Sequence, residues 1–470
     1  MDETCTICWF RNDLRLQDNP ALTAAAAEGR VLPLYIHQHE QLARATGAAG
    51  RWWLHHALSN LNDALGRNLL ISSGDPEAII LRLARLTGAR SVVCNRIYDP
   101  EGVEQDKRIF EKLSNNGISV RTFNASLLQE PWLVLKPDGT PYRIFTPFYR
   151  NGYARRKQSY TPLPVPPRLQ TFSPEHESLP LERLGLLPDH PWHRKFTPIW
   201  QPGEEGAHKR LKEFVQHGLR GYSKGRDFPA EPHVSRLSPS LRFGEISPRQ
   251  VWHALKNLPE SEDRERFLTE IGWREFAYSL LFYNPSMPER PLQHKYSAFA
   301  WNDDMHALKL WQQGRTGYPL VDAGMRELWQ TGYMHNRLRM ITGSFLVKNL
   351  RIHWKHGRDW FHDCLLDADA ANNNAGWQWV AGCGTDAAPY FRIFNPVTQA
   401  KRFDPAGTYT RRYIPELSRL PDRYLFEPWK APPDILRDAG ITPGVTYPEP
   451  IVDLQASRQA ALQALKQLED

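Results

Sequence analysis

The sequence predicts an α/β chain: an N-terminal parallel sheet in a Rossmann-like arrangement, a long proline-rich linker and an all-helical C-terminal domain. Three observations carry that prediction. Short apolar runs alternate with amphipathic stretches through the first third of the chain, ten prolines fall between positions 162 and 202, and the second half shows 3.6-residue periodicity with hardly any strand signal. The expected domains are 1–130, 131–202 and 203–470.

In the first domain, strands are expected at Thr6–Phe10, Val31–Ile36, Leu69–Ser72, Ser91–Asn95 and Ile118–Phe123. Helices are expected between them, at Pro20–Gly29, Arg51–Gly66, Pro76–Gly88 and Gly102–Asn116, several closed by Gly or Asn. Strand–helix alternation implies parallel pairing with helices on both faces. No G-x-G-x-x-G follows the first strand, so a nucleotide is not expected here in the Rossmann manner. From Pro131 to Pro202 each proline removes a backbone donor and fixes φ, which suits an irregular surface connection. Beyond it, helices are expected at Gly206–Leu219, Pro248–Leu258, Arg264–Tyr283, Met305–Gly314, Val321–Thr331, Asn336–His356 and Arg358–Leu366.

Composition excludes several classes. The 41% hydrophobic and 24% charged content is ordinary globular usage. No run nears the roughly 18 apolar residues of a membrane helix, and the N-terminus lacks a signal core, so a cytoplasmic protein is expected. Five cysteines argue against a disulfide framework; Cys5 and Cys8 sit three apart in a strand, point to opposite faces and read as core thiols, and no metal site is expected. Asp75, Asp99 and Asp106 read as caps and solvated faces. A net charge of +7 mildly favours an anionic partner. Between Glu327 and Asp359 there is no acid, whereas Arg337, Arg339, Lys348, Arg351, Lys355 and Arg358 all fall there. A helix start rich in Arg suits a phosphate. Of 16 tryptophans, 11 lie from Trp200 onward; most serve packing, and a few need not.

The chemistry concentrates between Glu270 and Gln399. Glu270 and Trp273 share a helical face, a carboxylate beside a flat ring that suits an aromatic heterocycle; taken alone, the bland reading of a packed helix with a salt bridge would win. The run Asp367–Trp379, with two acids, three asparagines and two tryptophans, reads as poor helix or strand sequence and demands polar partners.

In Trp9-Phe10-Arg11-Asn12-Asp13-Leu14-Arg15-Leu16-x-Asp18-Asn19-Pro20, in the stretch Gly317–Arg326 and in these segments, the sequence resembles the photolyase/cryptochrome family, closest to class I cyclobutane pyrimidine dimer photolyases, over residues 5–455. The resemblance implies light-driven splitting of dimers in UV-damaged DNA by electron transfer from reduced FAD, with the dimer flipped into a pocket, a geometry for which photolyases are themselves a standard case. It places FAD on Tyr222, Val234, Ser235, Arg236, Leu237, Ser238, Arg339, Asp367, Ala368, Asp369 and Asn373, the last facing flavin N5 and favouring an anionic reduced flavin. Trp273 and Trp379 resemble the rings that sandwich the flipped bases, and Glu270 the group that steadies the dimer. Asn336 and Met340 line the wall, and Arg274, Arg337 and Gln399 join the DNA contacts, with Lys401 and Arg402 as rim candidates. Trp377, Trp354 and Trp301 match a proximal, middle and surface relay that re-reduces the flavin.

Departures from the family pattern are Ala375, Asn372 and the absence, around Asn95–Gly102, of the Asn-Glu pair that holds folate. An antenna chromophore, methenyltetrahydrofolate or a deazaflavin, is expected but not named; Trp52-Trp53-Leu54-His55-His56 is compatible with one. A monomer needing no protein partner is expected. The alternatives are a cryptochrome photoreceptor without repair, a (6-4) photoproduct photolyase, for which His335 alone does not supply the histidine pattern, and a non-catalytic binder of damaged DNA.

Overall fold

A computed structural model of the chain describes residues 5–38, 46–154, 160–174, 176–386 and 391–468. Contacts divide it into two compact units. The first holds Met1–Arg220, Ser235–Pro285 and Leu366–Asn372; the second holds Gly221–Val234, Ser286–Leu365 and Asn373–Asp470. The division differs from the expected boundaries at 130 and 202, because helical segments 235–285 and 366–372 group with the N-terminal part.

In the first unit, β1 (Cys5–Phe10), β2 (Arg30–His37), β3 (Leu70–Ser73), β4 (Ser91–Asn95) and β5 (Ser119–Phe123) form one parallel sheet in the order β3-β2-β1-β4-β5. Ile7, Trp9, Leu32, Leu34, Leu70, Val92 and Cys94 pack from the strands onto Ile80, Leu83, Ile109 and Leu113 of the flanking helices. Each of three strand-to-helix turns uses the same device. Asn19, Asp75 and Asp99 precede a proline at the first helical position, and their side chains accept from the N–H groups of Leu22, Ala78 and Gly102. Asp106, expected on a solvated face, instead is buried against Arg11 at 2.6 Å, and burial raises its carboxyl above the usual range despite that partner.

The N-terminal motif Asn12–Pro20 is a buried polar knot. Arg15 donates to the carbonyls of Gln17, Asp18, Ala125 and Gly244. Asp18, held at φ 52°, accepts from Leu163 N at 3.0 Å, Arg249 Nε at 3.2 Å and the Ser247 hydroxyl. The motif therefore fastens the end of β1 to distant chain.

Two helical expectations are corrected. Asn336–His356 is not one helix: Asn336–Ser344 passes into a wide turn at Phe345–Asn349, Arg351 adopts φ 54°, and a new helix runs Trp354–Cys364. Nothing in the local sequence breaks it. The break is held from outside, where Asn302 donates to the carbonyls of Leu350 and Arg351. Conversely, Ala370–Ala381 within the asparagine run is a helix. Asp369 caps its start, accepting from Asn372 N and Asn372 Nδ2, both at 2.7 Å, which gives Asn372 a structural task.

Among the described residues, no helix is long and apolar enough to cross a membrane, and no cluster of His, Cys, Asp or Glu could hold a metal. Among the described residues none of the five cysteines is in a disulfide, and Cys8 is buried in β1 as a core thiol.

Candidate functional site

In the first unit, the helix Glu262–Tyr283 sets Glu270 and Trp273 one turn apart, both half-buried. Trp273 is stacked on Phe145, ring centroids 3.7 Å apart and planes 8° from parallel. Phe276 meets its edge at 6.0 Å. Gly272 lets the Tyr149 ring lie close against this helix, since a Cβ there would lie 2.3 Å from Tyr149 Cδ2. Arg274, expected among the DNA contacts, is turned inward: it donates to the Ser126 carbonyl at 2.7 Å and stacks over Tyr278. Its guanidinium is used by the fold.

The loop Ser235–Ser238, also in this unit, turns at Arg236, which takes φ 51°. A left-handed arginine is uncommon and marks a position held by its surroundings. Ser235 Oγ accepts from Leu237 N at 3.4 Å. The exposed Ser238 donates its hydroxyl to Asp367 Oδ2 at 2.5 Å, so its proton is committed to a carboxylate and only its lone pairs remain to offer. Arg242 holds the Ala368 carbonyl at 3.0 Å. These bonds bring 235–242 and 367–369, distant in sequence, into one polar edge.

In the second unit, Tyr222 is buried under Arg226, and Gly225 lets His233 close onto the turn, since a Cβ at Gly225 would lie 2.1 Å from His233 Cδ2. Val234 follows, half-buried. Asn336 is exposed, and Arg337, Arg339 and Met340 are half-buried on the start of helix Asn336–Ser344. The stretch without acids is not an open cationic face. Arg337 pairs with Asp227 at 2.7 Å and lies over Phe403, and Lys355 pairs with Glu289 at 2.9 Å. Arg358 binds the Pro288 carbonyl and Asp359. Buried Lys348 donates to the Arg392 carbonyl, and desolvation lowers its ammonium to about 7. The acids that answer Arg337 and Lys355 come from elsewhere in the chain. Arg339 donates to the Met334 carbonyl at 2.8 Å. Lys401, one of the rim candidates, pairs with Glu427.

Asn373 donates from Nδ2 to the Arg358 carbonyl at 3.0 Å, which leaves Oδ1 as the acceptor of its amide. Trp377 is buried against Gly357 of the helix that begins at Trp354. Trp354 is buried, while Trp301 is half-buried. Between these two lies His353, 5.5 Å from Trp354 and 5.0 Å from Trp301 by ring centroid, with desolvation lowering it to about 4. Trp379 and Gln399 are half-buried.

Over 97% of its length the chain is 48% identical to a deoxyribodipyrimidine photo-lyase of Agrobacterium fabrum, matching 97% of that protein. The chain belongs to the photolyase/cryptochrome family. Within it, the model described as the FAD binding domain of DNA photolyase matches residues 267–467, and the one described as DNA photolyase matches 6–168. The family's other branch is also near: Cryptochrome-2 of Arabidopsis thaliana is 40% identical over 98% of this chain and 78% of its own length. A crystal structure described as a bacterial class III photolyase from Agrobacterium tumefaciens superposes with a TM-score of 0.96 at 47% identity, covering 100% of this chain and 98% of that one. That neighbour carries a class III description, whereas the sequence motifs pointed toward class I.

Sequence reasoning missed Phe145, Tyr149, His353 and His233. The first two lie in the proline-rich segment read as irregular, although their i, i+4 spacing was visible. The antenna candidates fare differently. Trp52 and Trp53 are core residues, with Trp53 Nε1 on Glu245 and its ring stacked on Phe243.

Proposed function

We propose that the chain is a light-driven photolyase that splits cyclobutane pyrimidine dimers in DNA. The observation that carries this reading is the pairing of half-buried Glu270 and Trp273 on one helical turn, with the indole backed by Phe145 on one side only among the described rings. A fixed flat ring beside a carboxyl suits a base turned out of the duplex, with stacking typically worth about 1–3 kcal/mol per base.

In the first unit, Ser235, Arg236, Leu237 and Ser238, joined to Asp367, Ala368 and Asp369 by the Ser238–Asp367 and Arg242–Ala368 bonds, form a polar edge that would suit FAD. In the second unit, Tyr222, Val234, Arg339 and Asn373 are the residues that the family resemblance assigns to the same cofactor. Reduced FAD would supply the light-absorbing electron donor. Asn373, with its amide nitrogen already engaged, would offer Oδ1 to a protonated ring nitrogen. Glu270 would hydrogen-bond the pyrimidine and hold it while its bonds open. Trp273 and Trp379 would each stack on a base, with Asn336 and Met340 excluding water and Gln399 reaching the sugar–phosphate side. Arg337, already on Asp227, would contact phosphate only by exchanging that partner. Trp377, Trp354 and Trp301, ordered from buried to half-exposed, would pass electrons inward.

The test is illumination of the purified, flavin-loaded protein with a dimer-containing oligonucleotide. Restoration of the bases in light and not in darkness supports the reading; activity confined to (6-4) lesions replaces the substrate. The photoreceptor reading draws on the Arabidopsis relative. No repair of either lesion by fully reduced protein would favour it.

A further inference from the structure

Four rings of the first unit form a column. Trp273 lies on Phe145 at 3.7 Å and 8°, Phe145 on Tyr149 at 5.6 Å and 20°, and Tyr149 near Tyr153 at 6.2 Å and 16°. The last three are spaced i, i+4, i+8 along the turns Phe145–Tyr149 and Arg150–Ala154, so one helical face of the linker supplies every ring of the stack but Trp273. Its far end is anchored. The Tyr153 hydroxyl donates to Glu275 Oε2 at 3.1 Å, and the same oxygen accepts from the N–H groups of Leu128 and Gln129. Phe276 braces both Trp273 and Phe145 edge-on at 6.0 Å. Phe145 is buried, whereas Trp273 keeps solvent-exposed surface.

We propose that Phe145 is a positioning residue for lesion recognition: stacked on one face of Trp273, it holds the indole plane so that the opposite face is preset for a flipped pyrimidine dimer. The inference rests on the reading of Trp273 as a base-stacking wall. An indole already fixed before the ligand arrives loses little rotamer freedom on binding, and that saving appears as affinity. Phe145 itself, buried beneath the indole, touches no substrate in this arrangement. Its effect is confined to the lesion, because undamaged duplex that is not flipped places no base on Trp273.

The experiment uses full-length, flavin-loaded protein in darkness, titrated with dimer-containing and undamaged oligonucleotides of one sequence. Phe145→Leu keeps an apolar side chain and removes the stack. It should weaken dimer binding roughly three- to tenfold, the range of an aromatic pair, while leaving undamaged binding within about twofold. Phe145→Tyr restores the plane and should restore the affinity. If Phe145→Leu does not fold, judged by its thermal melt, Phe145→Met takes its place. Unchanged dimer affinity in Phe145→Leu, alongside weakened binding in Trp273→Ala, overturns the positioning role and leaves the wall intact. Equal loss on both DNAs with a lowered melting temperature also overturns it, in favour of a structural role. Unchanged dimer affinity in Trp273→Ala overturns the wall itself.

Discussion

The indole of Trp377 fills the space in which a side chain on Gly357 would begin: a Cβ there would lie 2.0 Å from Cη2 and 2.4 Å from Cζ3. A methyl group at Gly357 must push the indole aside or bend the helix. Gly357→Ala should therefore destabilise the fold by about 1–3 kcal/mol in urea denaturation, the usual range for overpacking. It should also slow light-driven flavin reduction. Unaltered stability would mean that Trp377 has room to retreat.

Trp354→Phe should abolish light-driven reduction of the bound flavin, followed in the visible spectrum. Phenylalanine fills most of the same buried space but is far harder to oxidise. Repair by chemically pre-reduced protein should survive nearly intact. Loss of both activities would make Trp354 a packing residue.

For Glu270→Ala, the repair yield per absorbed photon should fall more than the affinity for dimer-containing DNA does. Yield is read by actinometry and affinity by titration in darkness. Collapse of affinity with preserved yield would move Glu270 from holding the reacting base to anchoring the strand.

Burial raises the Glu275 carboxyl to about 7, against an ordinary 4.5, with Arg274 and the N–H groups of Leu128 and Gln129 opposing the shift. The folded chain therefore binds this proton more tightly than the unfolded chain. Its stabilising effect is complete below about pH 4.5 and is lost as pH rises toward 7, by about 3 kcal/mol at most. Glu245, also raised to about 7, acts in the same direction, whereas Lys348 acts above pH 7 with the opposite sign. Glu275→Gln keeps an acceptor for Leu128, Gln129 and Tyr153. It should flatten the dependence of melting temperature on pH between 5 and 7; an unchanged slope would assign the titration to other groups.

The sheet was legible because each strand and its following helix carry local signals, down to the Asn-Pro and Asp-Pro turns at 19–20, 75–76 and 99–100. The tryptophan and asparagine positions were named through family resemblance. What local reading missed is set by distant partners. Asn302 ends a helix that the sequence continues through Arg351, and Asp227 and Glu289 answer cations that looked unopposed. Asp369 and Asn372 make a helix start from residues of poor propensity. Arg274, assigned to the DNA contacts through the family resemblance, stands one residue on from Trp273, a step that turns a helical side chain about 100° away.

The polar knot around Arg15 and Asp18 has a kinetic consequence. Its partners Leu163, Gly244, Ser247 and Arg249 follow it by some 145 to 231 residues, so β1 leaves the ribosome long before the groups that complete it exist. Loops of that span close slowly, and until they do the Asp18 carboxylate and the Arg15 guanidinium wait half-satisfied beside the sheet. An N-terminal fragment ending before Gly244 would lack three of those partners. Refolding from denaturant should accordingly show its slow phase at the end of β1, although that segment is synthesised well before its partners.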